Sequence, residues 1–170
     1  TRNDWWFFGD SAGVHFNNNI PLPVSGAIVS NEASASISDT AGNLLFYVGS
    51  PKYNGIRFQV FNYLNQLMLN GDSIFGISYL SQAALILPFT SDTSKYFIFH
   101  QGSPTSNPSP LYLYYTVVDM ILDSGKGEVI SKNNPLYTIQ SISEKRVAVK
   151  NANGRDWWLI NHQINNDTFI

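Results

Sequence analysis

The feature that most constrains this chain is a recurrence of short apolar runs, each closed by a cluster of Gly, Asn, Asp, Ser or Pro. Runs of that length between turn-forming residues are strands, and no segment carries the 3.6-residue periodicity of a helix. Aligned one below another, the runs form a four-part unit. The first unit reads "ASASIS", turn, "NLLFYV", connection, "IRFQVFN", short link, "NQLML". The second reads "AALILPF", turn, "KYFIFH", a Pro/Ser-rich loop from Gly102 to Pro110, "LYLYYTVVDM", turn "LDSGK", and "GEVIS". The third begins with "KRVAVK", turn "NANGR" and "DWWLINH", then "NNDTFI", a hairpin turn entering a further strand.

Four antiparallel strands per unit, repeated along a chain, is how a β-propeller blade is written. The fold class expected is therefore all-β, a propeller-like array that is incomplete in this chain, with a β-sandwich as the alternative architecture. The blades are expected at 33–70 and 83–140, the start of a further blade at 145–170, and a ring-closing strand at 1–9. Trp6, Leu44, Tyr96 and Trp158 are assigned one structural repeat position, with the last two intervals 52 and 62 residues. On this reading the twice-written "DWW" marks successive instances of one strand position, with its tryptophans in the core. A blade needs neighbours on both faces, so residues 1–170 alone are expected to expose apolar strands and to aggregate.

Composition narrows the function. With 44% hydrophobic residues the chain can build a core, and its 13% charged residues, net charge −2, contain no basic run, which argues against nucleic-acid partners. The longest apolar runs are too short to span a bilayer as a helix. Cysteine is absent, which removes thiol catalysis, disulfides and Cys-ligated zinc. Asn and Ser supply 37 residues and Glu only 3, a bias that suits turns over long surface helices.

No catalytic, cofactor-binding or metal site is expected. His15, His100 and His162 lack partners at ligand spacing, and His100 and His162 share a repeat position, which marks them as fold residues. Asp39, Asp119, Asp123, Glu128 and Glu144 are the carboxylates from which a glycosidase pair could be drawn. Of these, Asp39 and Asp123 sit, like Asp92, in turns where Asp caps its own backbone. "DSGKGE" lacks the frame of a phosphate loop.

Four ordered blocks, "NDWWFFGDSAGVHFN", "ASISDTAGNLLFYVGS", "LYLYYTVVDMILDSGKGEVISKNNPL" and "EKRVAVKNANGRDWWLINH", resemble the N-terminal region of large secreted Bacteroidetes proteins. Those proteins carry a gliding-motility-associated C-terminal domain and leave the cell by type IX secretion. His15 departs from the family, which carries Asp there. The resemblance implies a propeller-like domain of an extracellular or cell-surface protein after signal-peptide removal. It also implies partners among other domains of the same chain or surface and secretion proteins, and it implies no chemistry. In that setting Ser11, Thr40 and Ser73, each after Asp and before a small or aliphatic residue, become candidate O-glycosylation sites. The function expected is a non-enzymatic structural or interaction module supporting adhesion, gliding or surface assembly. The alternative is a glycan-binding or glycan-cleaving propeller.

Overall fold

The structure, a computed structural model, describes residues 1–18, 20–105, 110–139 and 141–170. Within them the chain is all-β: four separate antiparallel sheets, none closed into a barrel. The first sheet runs β1 (Trp5–Phe8), β2 (Asp10–Asn17), β3 (Ile20–Val29). The second and third are four-stranded meanders, in order β4 (Ser34–Ser38), β5 (Leu44–Gly49), β6 (Arg57–Asn62), β7 (Ile74–Phe75) and β8 (Ala84–Pro88), β9 (Lys95–Gly102), β10 (Tyr112–Asp119), β11 (Glu128–Tyr137). The fourth pairs β12 (Ile142–Lys150) with β13 (Trp157–Gln163).

The two middle sheets have the four-strand meander order that the repeat predicts, with one correction. "NQLML" is not the fourth strand of the first unit. Asn62 Oδ1 accepts the backbone N–H groups of Leu64 (2.9 Å) and Gln66 (3.1 Å), and Asn65 sits at φ 60°, so the chain turns here. Leu67 and Leu69 keep single bridges to Phe61 and Glu128, and the fourth strand is Ile74–Phe75, paired to Arg57 and Phe58. "LDSGK" is the expected turn: α1 (Leu122–Gly125) carries positive φ at Asp123, Ser124 and Gly125, which no right-handed helix has.

The first sheet holds two strands the sequence reading left out. Residues 1–9, expected as a ring-closing strand, hold β1, which pairs from Trp5↔His15 to Phe8↔Ala12 with β2 in a sheet of its own. Pro21 and Pro23 make β3 read as loop, but β3 is an edge strand, where a missing N–H can face outward without costing a ladder bond.

The sheets pack face to face in chain order. Phe7 and Ile28 of the first meet Tyr47 and Phe61 of the second, with the Phe7 and Tyr47 rings stacked at 4.1 Å. Phe46, Val48 and Phe58 of the second meet Tyr96, Ile98 and Val118 of the third in the largest core. Each of the fully buried aromatics there contributes about 1.5–3 kcal/mol by leaving water.

Side-chain alternation corrects the repeat position. Leu44 packs with the cluster shared with the first sheet, and Tyr96 meets Phe46 edge-on at 5.6 Å, so both face the preceding sheet. In β13 the residue with that orientation is Trp157, which lines a cleft with Phe97 and Phe99 of the third sheet. Trp158 points the other way and is 61% exposed. Trp6, opposite Phe7 on β1, lines an open cleft with Ser34 and Ser36 at the rim of the second sheet and is 54% exposed. The two exposed tryptophans therefore stand on opposite ends of the stack rather than at one repeated core position. One residue of register moves a side chain to the other face.

Candidate functional site

The fourth sheet is seated on the third through polar groups. Arg146 is buried, its Nε donating to Asn161 Oδ1 (2.8 Å) and its Nη1 to the carbonyls of Phe99 (3.3 Å) and Ala83 (3.5 Å). Gln101 Nε2 donates to the Ile142 carbonyl (2.7 Å), and the Arg146 N–H donates to Gln82 Oε1 (3.0 Å). No carboxylate contacts Arg146 among the described residues, and burial lowers its guanidinium to about 10. Arg146 Nη2 and Gln101 Oε1 lie buried without a partner among the described residues.

This seating inverts the usual polarity of a sheet. Arg146, Ala148, Trp157, Leu159 and Asn161 face the third sheet, whereas Val147, Val149, Trp158 and Ile160 face out. The outward four are cross-strand pairs, Val147↔Ile160 and Val149↔Trp158, and each is exposed. Beyond β13, Asn161 exchanges two backbone hydrogen bonds with Ile170 (2.9 Å each), and Gln163 N–H donates to Thr168 O (2.9 Å), so the chain folds back onto β13 through a single bridge, His162↔Phe169. The backbone of Leu159, two residues back along the same edge, has no such partner among the described residues.

A second polar seam joins the second and third sheets. His100 is fully buried; its Nδ1 donates to the Phe75 carbonyl (2.6 Å), and its Nε2 accepts from the Thr116 hydroxyl (2.9 Å). Thr116 Oγ1 accepts the Asn133 N–H (3.2 Å), and Asn133 Oδ1 accepts the Phe75 N–H (2.8 Å). Burial holds His100 neutral, its pKa lowered to about 3, with the Arg146 charge a smaller contribution. With both ring nitrogens engaged, His100 is a structural tie between sheets. His162 does not share its environment: it faces out and meets Phe169 edge-on at 5.0 Å.

Of the candidate carboxylates, Asp119 and Glu128 face each other across the β10–β11 hairpin whose turn holds Asp123, while Asp39 and Glu144 stand on other elements. Asp39 caps the N–H groups of Ala41 (2.8 Å) and Asn43 (2.9 Å) and holds Asn43 Nδ2 (2.9 Å), bonds that keep its carboxyl below the usual range. Asp119 lies 3.6 Å from Lys95, Asp123 pairs with Lys126 at 2.9 Å, Glu128 accepts from Asn70 (3.3 Å), and Glu144 caps Ser81 N–H (2.7 Å). Among the described residues no group of three or more His, Asp or Glu could hold a metal ion.

The candidate modification sites differ in access. Thr40 and Ser73 are exposed at turns, Ser73 at φ 58° and bonded to Asp72 (3.0 Å), while Ser11 sits half-buried in a β2 bulge at φ 57°.

A separate cavity of about 400 Å³ opens between the end of the first sheet and the β4–β5 turn, around Trp5, His15, Asn17, Asn43 and Tyr63. His15 stacks on Trp5 at 3.9 Å, and Trp5 Nε1 donates to the Gly42 carbonyl (3.0 Å).

No protein-family model, no curated protein and no solved structure matches this chain.

Proposed function

We propose that the chain is a non-enzymatic structural and interaction module of an exported bacterial surface protein, supporting adhesion, gliding or surface assembly by docking further sheets onto its ends. The observation that carries this reading is the outward face of β12 and β13, where Val147, Val149, Trp158 and Ile160 form a continuous apolar ladder in water. A ladder of that kind is expensive to leave bare and marks an interaction surface. Trp6 and Phe8 give the opposite end of the stack a similar character. The surface-protein setting rests on the resemblance of the four sequence blocks, and the extracellular location and surface partners come with it. The carboxylates, each engaged by a neighbouring amide, ammonium or backbone N–H, support the non-enzymatic side of the proposal.

The test is a pair of measurements on the 170-residue chain. Binding of an apolar fluorescent dye should fall when Val149 and Trp158 are replaced by Thr and Ser, and a panel of chromogenic glycosides should remain uncleaved. Dye binding unchanged by the replacements, or turnover of any glycoside, contradicts the reading.

A further inference from the structure

The cavity beside Trp5 is independent of the docking faces and has a different chemistry. Its base is rigid. Asp39 closes the β4–β5 turn with three hydrogen bonds, Trp5 Nε1 ties that turn to the first sheet through Gly42, and the Phe16 N–H donates to the Asp4 carbonyl (2.7 Å). Gly42, at φ 92°, lies so close to Asp4 that a β-carbon there would collide with the carboxylate, so the base admits no side chain at this point. A site fixed before the ligand arrives spends little on ordering.

Its walls combine rings with side chains that donate and accept, and one carboxylate, Asp4, which accepts from Thr1. Tyr63 is 43% exposed, and His15 lies flat against Trp5 at 3.9 Å. Among the described residues the side chains of His15, Asn17 and Tyr63 make no hydrogen bond; Asn43 uses only Nδ2, on Asp39 (2.9 Å), which leaves its Oδ1 open. Among the described residues neither Lys nor Arg lines the cavity, and the one charged group, Asp4, is an anion, so nothing there would select a phosphate or carboxylate. Amides, a phenol and an imidazole with open donors and acceptors match adjacent hydroxyl groups, and ring faces match the C–H side of a pyranose.

We infer that this cavity is a binding site for a neutral saccharide of one or two hexose units, held between the Tyr63 and His15 rings and the Asn17 and Asn43 amides. Its volume, about 400 Å³, lies in the lower part of the range of small-ligand sites. An open site of this kind holds sugars with dissociation constants on the order of millimolar.

The test is titration of the ¹⁵N-labelled 170-residue chain with glucose, galactose, mannose, N-acetylglucosamine, maltose and lactose, followed by amide and indole NMR shifts. At least one sugar should move the Trp5 indole N–H together with the Gly42, Asn43 and Asn17 signals. Tyr63→Ala and Asn17→Ala, both at exposed positions whose loss leaves the core intact, should each weaken binding by roughly tenfold, equivalent to about 1.4 kcal/mol. The proposal is overturned by an absence of shifts with every sugar at several times that millimolar concentration. Shifts centred elsewhere, shifts indifferent to both substitutions, or a clear preference for glucose 6-phosphate over glucose overturn it too. Dye binding at the β12–β13 face reads neither outcome, so this result and that of the docking proposal stand apart.

Discussion

Acidification should loosen the junction between the second and third sheets through one residue, His100. In the folded chain its two ring nitrogens are committed to Phe75 and Thr116, and burial lowers its pKa from 6.5 to about 3. Unfolding returns the ring to water and to its ordinary value. Between pH 6.5 and pH 3 the unfolded chain therefore binds one more proton than the folded one, and stability falls as pH falls. The contribution is complete above pH 6.5 and is lost at up to 1.36 kcal/mol per pH unit, which gives about 2 kcal/mol by pH 5. Asp92, held to about 2 by Lys95 and then Ser94, loses its contribution only below its ordinary value of 3.8, so it stays outside the range from pH 7 to pH 5. The assay is urea denaturation followed by tryptophan fluorescence at pH 7, 6 and 5, on the native chain and on His100→Gln. The substitution keeps a donor and an acceptor while removing the titration. The native chain should lose about 2 kcal/mol more than the variant between pH 7 and pH 5. Parallel losses would refute the assignment of His100 as a buried neutral tie.

Three further expectations rest on other parts of the molecule. Gly76→Ala should destabilise by about 1–3 kcal/mol in the same denaturation assay, because a β-carbon at Gly76 would overlap the buried Phe58 ring. Arg146→Met should release the β12–β13 hairpin from the third sheet, since Asn161 Oδ1 loses its donor and the Phe99 and Ala83 carbonyls lose their tie to β12, the Ala83 carbonyl keeping the Gln101 N–H (2.9 Å). Amide exchange should then accelerate across Val147–Val149 by tenfold or more, at about 1–3 kcal/mol for the orphaned Asn161 oxygen, while the core around Phe46 keeps its protection. Intact-mass measurement of protein from its native host should show glycan mass that Thr40→Ala and Ser73→Ala reduce; an unmodified mass ends the glycosylation proposal for all three sites.

The all-β class and the two middle meanders were legible because their apolar runs alternate and their turns carry Asp, Asn and Gly. "SDTAGN" forms its turn through Asp39, a purely local interaction. What the sequence hid depends on non-local partners. "RVAVK" alternates Val147 and Val149 against Arg146 and Ala148, and burial of the valines is the natural expectation. The structure turns Arg146 inward because carbonyls of the third sheet and Asn161 receive its guanidinium, and those acceptors lie 47, 63 and 15 residues away. The same inversion sends Trp158 outward and Trp157 toward Phe97, which repeat spacing alone could not tell apart. The saccharide cavity was illegible for a similar reason. Trp5, Asn43 and Tyr63 are brought together only when the first sheet, with its unexpected strands β2 and β3, packs on the second.

The central claim, that the outward face of β12 and β13 is a docking surface, is tested most directly by sedimentation velocity. The native chain and a Val149→Thr, Trp158→Ser double variant would be run across a range of protein concentrations. The native chain should self-associate as concentration rises, and the variant should remain monomeric with an unchanged circular dichroism spectrum. A native chain that stays monomeric throughout, or a variant that associates as strongly, would contradict the account.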